Sequence, residues 1–354
     1  MAIHRIRIAE TGIRFLSGPL KQMKLLYESL HNHTKLSDGV LSHLELLDVA
    51  EKAGFGVIGF TDHDLLPSKE ILNELKQYKG KVKWFIGCEL SAALPEELGG
   101  GESSNFHIVG LFTDPFNKDI LNHCAKMQES RIERMKMIVK NLTGLGFKIT
   151  VEDCFEEAGD LNVGRPHIVR VLNRYKENGA VQDRLMRRME EVAKTDSAVA
   201  ENYVNMIKLG EISYPYGLYL SNDAFISDVY VDHLYYKDMD AIVDLIHGAG
   251  GVALLAHWHT IQKKIDESTL RKFLSDKRLD GIEVAAGFYP DNDEKQKKIV
   301  KEIGTLAMVG VDMHLPEDFE KFVFLDKRRA EESTGTLQRV IDRIKPNLKY
   351  SNIS

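Results

Sequence analysis

MKLLYESLHNHTKLSDGVLSHLELLDVAEKAGFGVIGFTDHD, Met23 to Asp64, holds one full structural repeat. An apolar run, MKLLYESL, ends at His31, and a polar turn follows it. The amphipathic segment SHLELLDVAEKAG then opens on Ser42 and closes on Gly54, and a second apolar run, FGVIGFTDHD, ends at Asp64. A serine hydroxyl accepts a first-turn N–H that has no partner inside the helix, and glycine enters the left-handed conformation that stops one. The stretch therefore reads strand, helix, strand.

The rhythm repeats further along. VKWFIGCELS ends at Ser91 and FHIVGLFT starts at Phe106; later come GGVALLAHWH ending at His259, DGIEVAAG ending at Gly287 and GTLAMVGVDMH ending at His314. Such alternation implies parallel strands in an α/β architecture, and seven strands favour a closed, barrel-like sheet over an open one. Between about 115 and 236 the rhythm breaks. LNHCAKMQESRIERMKMIVKNLTGLG and VQDRLMRRMEEVAKTD read as helices, and SYPYGLYLSNDAFISDVYVDHLYY is rich in tyrosine. That stretch is too long for a loop, so an inserted, mostly helical cap beside the active face is expected. The expected organisation is an N-terminal extension over 1–23, a first barrel part over 24–114, the cap over 115–236, and a second barrel part with a C-terminal tail over 237–354.

Composition narrows the class. At 354 residues and 43% hydrophobic content, one large domain with an insertion can bury a sizeable core. A formal net charge of -6 offers no global basic field, so no stable nucleic-acid complex is expected. The apolar runs fall far short of a bilayer span and the first residues lack a signal-peptide core, so a soluble, cytoplasmic protein is expected. Cys88, Cys124 and Cys154 are odd in number and widely spaced, which suits neither a disulfide framework nor a thiolate zinc site.

Histidines and acids gather at the ends of the runs: His31, His33 and Asp38; Asp62, His63 and Asp64; Glu89; His257 and His259; Asp312 and His314. His107 comes early in its run, where a hydrogen-bonded core histidine is the competing reading. In a parallel barrel the C-terminal strand ends open on one face, so these residues are expected to converge. Imidazoles and carboxylates without thiolates suit zinc, manganese or iron, and their number calls for two or three divalent ions. Clustered ions suit phosphate ester hydrolysis, because they lower the pKa of a water, orient the phosphoryl group and stabilise the leaving oxygen.

Taken in order, LHNHTKLSDG, GFTDHD, GCELS, HIVGL, LLAHWH and GVDMH resemble the successive metal motifs of the PHP (polymerase and histidinol phosphatase) family of metal-dependent phosphoesterases, over about 24–114 and 237–320. VGRPHIVRVL, Val163 to Leu172, is similar to a subgroup of nucleotide phosphatases and 5'-3' exoribonucleases. The resemblance implies a distorted (β/α)7 barrel with one metal held by His31, His33, Glu89 and Asp312. It implies a second held by Glu89, His107 and His257, and a third by Asp38, His63 and His314. Two positions depart from the pattern. The usual Ala-His-Pro-x-Arg is Ala256-His257-Trp258-His259-Thr260, and Val311 replaces the usual serine, so a phosphate-binding arginine is missing.

The candidate substrate-side residues are Arg165 and His167, whose Gly-Arg-Pro-His turn can offer a guanidinium and an imidazole to a phosphate or simply start a helix. His259 is a candidate phosphate contact or proton donor, against a solvent-facing histidine. Asp64 is a candidate base or a support for His63, and both it and Asp62 are equally suited to capping a turn. Lys35 is balanced between a phosphate contact and a solvated loop lysine, while Glu283 reads as a hydrogen-bonding residue at a strand end. The expected activity is hydrolysis of a phosphomonoester on a nucleotide or short oligonucleotide. The alternatives are a 5'-3' exoribonuclease acting on short RNA and a non-catalytic PHP-like module.

Overall fold

The computed structural model describes residues 27–100, 106–159, 163–284, 293–325, 335–346 and 348–353. In its first unit β1 (Tyr27–Ser29) passes through the ligand-bearing turn to α1 (His43–Ala53). The Ser42 hydroxyl accepts from the Glu45 N–H, and the Glu45 carboxylate accepts from the Ser42 N–H. Gly54, at φ +90°, stops the helix and turns the chain into β2 (Phe55–Phe60), parallel to β1. α2 (Lys69–Lys76) leads to β3 (Lys83–Ala93), and then comes β4 (Phe106–Leu111).

Helices fill the interval before the sheet resumes: α3 (Lys118–Gly144), α4 (Val151–Ala158), α5 (Arg165–Arg174), α6 (Asn178–Ala193), α7 (Ser197–Leu209) and the short α8 (Tyr214–Leu218). A two-residue β5 (Lys237–Asp238), unread in the sequence, precedes α9 (Met239–Gly248) and β6 (Val252–Leu255). α10 (Glu267–Ser275), β7 (Gly281–Glu283), α11 (Asp293–Ile303), β8 (Leu306–Met308), α12 (Glu317–Leu325) and α13 (Thr336–Ile344) complete the described chain. The expected N-terminal extension and the part of DGIEVAAG beyond Val284 lie outside the described residues.

The fold is mixed α/β, with strand order β1-β2-β3-β4-β6-β7-β8 and β5 paired to β3. One expectation is corrected here: β4 runs antiparallel to both β3 and β6, so the sheet is not all parallel. Described residues between β3 and β4 include only a single 3-10 turn (Glu96–Leu98), with no crossover helix to bring the chain back, so β4 returns along β3.

Alternation within the strands divides the core. Val57, Phe85, Val109, Leu254 and Met308 cluster on one side of the sheet with Leu337 and Val340 of α13. Ile58, Ile86, Ile108, Leu255 and Ile282 face the other way, onto Leu46, Leu72, Ile246 and Leu270 of the surrounding helices. The two outermost strands also approach each other beyond their ladders. The Leu30 N–H donates to the Val309 carbonyl (2.9 Å), Asp312 N–H to His31 (3.0 Å) and His33 N–H to Met313 (2.9 Å). The helices between β4 and β5 have a hydrophobic cluster of their own, built on residues such as Ile138, Leu142, Val171, Leu185 and Tyr219. No described helix is long and apolar enough to cross a membrane.

Candidate metal centre

All nine histidines and acids read as ligands come together at one end of the sheet. Glu89 is at the middle, fully buried, and its two oxygens divide the neighbouring imidazoles between them. Oε1 lies 3.1 Å from His107 Nδ1 and 3.0 Å from His257 Nε2. Oε2 lies 3.3 Å from the Nε2 atoms of His31 and His33 and 2.8 Å from His63 Nδ1. Asp312 Oδ1 is 3.0 Å from His33 Nε2 and 3.5 Å from His31 Nε2, and Asp38 Oδ1 is 3.3 Å from His314 Nε2. His31, His33 and Glu89 form a buried floor, and the other six stand half-buried around it.

The reversed direction of β4 explains His107. Its register opposite Ser91 puts the beginning of β4 beside the end of β3, so an early residue in one strand meets a late residue of the other.

The donor set fits divalent cations. Among the described residues, buried Asp38 Oδ1, Glu89 Oε2, His33 Nδ1 and His107 Nδ1 have no well-aligned hydrogen bond, although ring nitrogens and carboxylate oxygens crowd the site. Buried polar atoms are nearly always paired, and lone pairs aimed at shared points are what a divalent cation would satisfy. Three overlapping groups have mutually close ligand atoms: His31, His33 and Glu89; His63, Glu89 and His107; His33, Asp38, His63 and His314.

The buried imidazoles and carboxylates shift one another's pKa values. Burial disfavours the His31 imidazolium, yet Glu89, Glu283 and Asp312 outweigh it and hold its pKa well above 6.5. Burial likewise opposes His314, but Asp38 and Asp312 lift it to about 10. Burial together with His314 and His63 pulls His33 down to about 4. Asp38, Glu89 and Asp312 all lie well below the usual carboxylate range, burial being overcome in each by adjacent imidazoles.

A surrounding layer aims these ligands. Glu283, fully buried, accepts from His31 Nδ1 (3.0 Å), leaving Nε2 toward the cluster, and from the His257 N–H (2.8 Å). A side chain at Gly310 would strike both partners, since an added Cβ would sit 2.4 Å from Glu283 Oε1 and 2.4 Å from His31 Cβ. Asp62 holds the turn that carries His33 and Asp38, accepting from the Thr34 N–H (2.7 Å) and the Ser37 hydroxyl (2.7 Å). His257 and Asp312 adopt left-handed backbone, at φ +26° and +56°, a strain that persists only where neighbours dictate it.

Asp64 is not placed as a base at the cluster, which corrects that expectation. Its carboxylate is occupied by the Ser91 N–H and hydroxyl, both at 2.9 Å, and by the buried Arg131 guanidinium. Through Ser91, opposite His107, this pair ties α3 to the strand ends that carry ligands. Arg131→Met is expected to destabilise the fold by about 3–5 kcal/mol in denaturant titration, because it strands a buried carboxylate. Adding Asp64→Asn should restore much of that loss; no recovery would count against the pairing.

The remaining candidates separate clearly. Lys35 is exposed and pairs with Glu45, as a solvated loop lysine does. Thr260 turns its hydroxyl back to the His257 carbonyl (3.1 Å), and Trp258 is fully buried with its N–H on the Ile265 carbonyl (2.7 Å), so the departures from the motif secure this turn. The His259 ring is 6.3 Å from that of His257. Arg165 and His167 begin α5, which reaches the cluster through Arg170, whose Nη1 is 3.5 Å from the Asp38 carbonyl. His167 Nδ1 accepts the Gly164 N–H (3.0 Å), which puts the imidazole proton on Nε2. Arg131 escaped the sequence reading; the available signal was an arginine on the apolar face of an amphipathic helix, among Met127, Met135 and Ile138.

A mixed sheet whose strand ends gather imidazoles and carboxylates around one central carboxylate suits a metal-dependent phosphoesterase. Residues 29–273 match the PHP domain, and the chain belongs to that family. It is 26% identical to a 5'-3' exoribonuclease of Haemophilus influenzae over 81% of this chain and 89% of that one. It is also 26% identical to a 3',5'-nucleoside bisphosphate phosphatase of Chromobacterium violaceum, over 81% of this chain and 87% of the relative. Among solved structures, an amidohydrolase from Chromobacterium violaceum with bound sulfate and no metal superposes with a TM-score of 0.61 at 23% identity, covering 82% of this chain and 88% of that one. The chain is thus a metal-dependent phosphoric ester hydrolase.

Proposed function

We propose that the protein hydrolyses a phosphomonoester carried by a nucleotide or a short oligonucleotide. The observation that carries this reading is the division of Glu89, with His107 and His257 on one oxygen and His31, His33 and His63 on the other. A bridging carboxylate of that kind suits one ion held with His31, His33 and Asp312 and another held with His107 and His257. Asp38, His63 and His314 would hold a third. Manganese, zinc and iron all suit these donors.

Bound ions would supply a nucleophilic water at neutral pH and charge stabilisation for the phosphoryl oxygens. The chain's own groups do the rest. Arg165, at the first turn of α5, binds non-bridging oxygens. His167, neutral with its proton on Nε2, donates a hydrogen bond to the leaving oxygen, and His259 is the candidate for protonating the departing alkoxide. Glu283 keeps the His31 ring in its tautomer and orientation.

The bonds between residues 30–33 and 309–313, with the Val57 to Met308 cluster on one face, support a distorted (β/α)7 barrel. The separate core of α3 to α8 supports reading residues 115–236 as a cap. Exoribonuclease action on short RNA remains a second reading, favoured by the names of the relatives and by the tyrosines and arginines on the α5 side.

Phosphate release from nucleotides, sugar phosphates and a short 5'-phosphorylated RNA, with manganese, tests the proposal beside an Asp312→Ala control. Nucleotide turnover that disappears in the control is expected. Equal inactivity of both proteins on every substrate would refute it, and release from the RNA alone would transfer the assignment to the second reading.

A further inference from the structure

Large apolar side chains reach solvent mainly at one place, the end of α7. Among the described residues five are exposed, and four of them fall within nine positions: Val204 (62%), Ile207 (43%), Leu209 (69%) and Ile212 (72%). Single apolar residues scattered over a surface need no explanation, whereas a group of them marks a surface that another molecule covers.

The element that carries them is firmly held. Asp196 caps α7, its carboxylate accepting from the Ala198 N–H (2.9 Å) and the Val199 N–H (3.1 Å). Tyr203 and Met206 face inward onto the cluster of α3 to α8. Gly217 lets α8 close on them, since an added Cβ there would sit 2.6 Å from Met206 Sδ. Past the helix end the Ser213 hydroxyl lies 2.8 Å from the Met206 carbonyl and 2.7 Å from the Gly210 carbonyl, bracing the 3-10 turn (Glu211–Ser213) that presents Ile212. The exposed side chains therefore stand on preorganised backbone, and covering them orders little of the chain.

The charges on α7 indicate what covers it. Its two charged residues are Glu201 and Lys208; both are exposed, and among the described residues neither makes an ion pair. Seven positions apart, they lie on the same side of the helix with Val204 between them. One acid and one base at that spacing complement themselves. When two such helices lie antiparallel about a two-fold axis near Asn205, each Glu201 comes beside Lys208 of the other copy, and Val204 lies against Ile207 of the other copy. A membrane surface would instead call for several basic residues on the polar face, and α7 has Lys208 alone.

We propose that two copies of the chain associate through α7, packed antiparallel about a two-fold axis. Val204, Ile207, Leu209 and Ile212 form the apolar part of the contact, and the Glu201–Lys208 pairs fix its direction. Four apolar side chains per copy are few beside the roughly 20–30 residues a side of a standard interface, so the expected Kd is about 1–100 µM. No candidate ligand or substrate-side residue lies in α7, so the association stands apart from the reaction at the metal centre.

Sedimentation equilibrium on the full chain with manganese, from about 1 to 200 µM, tests the proposal. The mass should climb from the 40.1 kDa of one chain toward twice that value and no further. Ile207→Glu should weaken association at least about a hundredfold, because the charge enters the apolar contact from both copies. Glu201→Lys and Lys208→Glu should each weaken it about tenfold, since the two-fold axis doubles every repulsion. An equimolar mixture of those two single variants should associate about as tightly as wild type, because each copy then supplies the charge the other needs. All these side chains are exposed, so melting curves at about 1 µM should match wild type and exclude misfolding as the cause.

A wild type that stays monomeric, an assembly that grows past the dimer, or a dimer indifferent to Ile207→Glu would each overturn this surface. Charge variants that leave the dimer unchanged, or that are not rescued by mixing, would overturn the antiparallel arrangement.

Discussion

Glu89→Gln is expected to lower kcat by at least about 10³-fold, more than the loss of a single charge-stabilising donor usually costs. The substitution keeps size and shape. It removes the negative charge that five imidazoles approach to 2.8–3.3 Å, and it replaces one acceptor by an N–H donor facing ring nitrogens. On the proposed reading Glu89 would serve two ion sites at once, so bound manganese should fall by more than one equivalent in elemental analysis. The rest of the fold should survive, because β3 is held by β2 and β4 along its length and by packing on both faces. A variant with full metal content and near-normal turnover would remove Glu89 from the centre of the assignment.

Metal removal has an effect of comparable size, with a pH dependence whose sign follows from the imidazoles. Chelation should abolish turnover, and manganese should restore it. In the metal-free chain His314 titrates near 10 and His31 well above 6.5, so both carry protons at neutral pH that must leave before a nitrogen can ligate. Manganese binding should therefore release protons, and apparent affinity should climb between pH 6 and 9 by about tenfold per pH unit for each proton displaced. His33, already down at about 4, is neutral throughout that range and contributes nothing to the slope. Calorimetry in buffers of differing ionisation enthalpy counts the protons directly. Binding that is independent of pH and releases none would contradict the role assigned to His31 and His314.

Periodicity made the local elements legible. Ser42 and Gly54 bound α1 where their chemistry says they should, since a capping hydroxyl and a left-handed glycine act within a few residues. The strand runs were visible for the same reason. Strand direction was not: Phe106–Leu111 alternates in the same way whether it runs parallel or antiparallel to its neighbours, and its orientation came from a connection whose described residues hold no crossover helix. His107, doubtful in sequence, depended wholly on that reversal.

Support for the site was less legible than the ligands. Asp64 looked available beside His63, but its partner Arg131 is 67 positions away on a helix whose pattern revealed only its apolar face.

By itself the sequence determined most of the inventory: seven of the eight strands, the helices with clear patterns, the set of imidazoles and carboxylates, and the place of most of them at strand ends. These follow from chemistry that operates over a few residues, namely side-chain period, capping and ligand type. Tertiary structure alone decided which oxygen of Glu89 faces which histidine, that β4 runs backward, and that Asp64 belongs to Arg131. Those outcomes depend on distances between groups far apart in the chain, and such distances exist only once the sheet and the helices of α3 to α8 have packed.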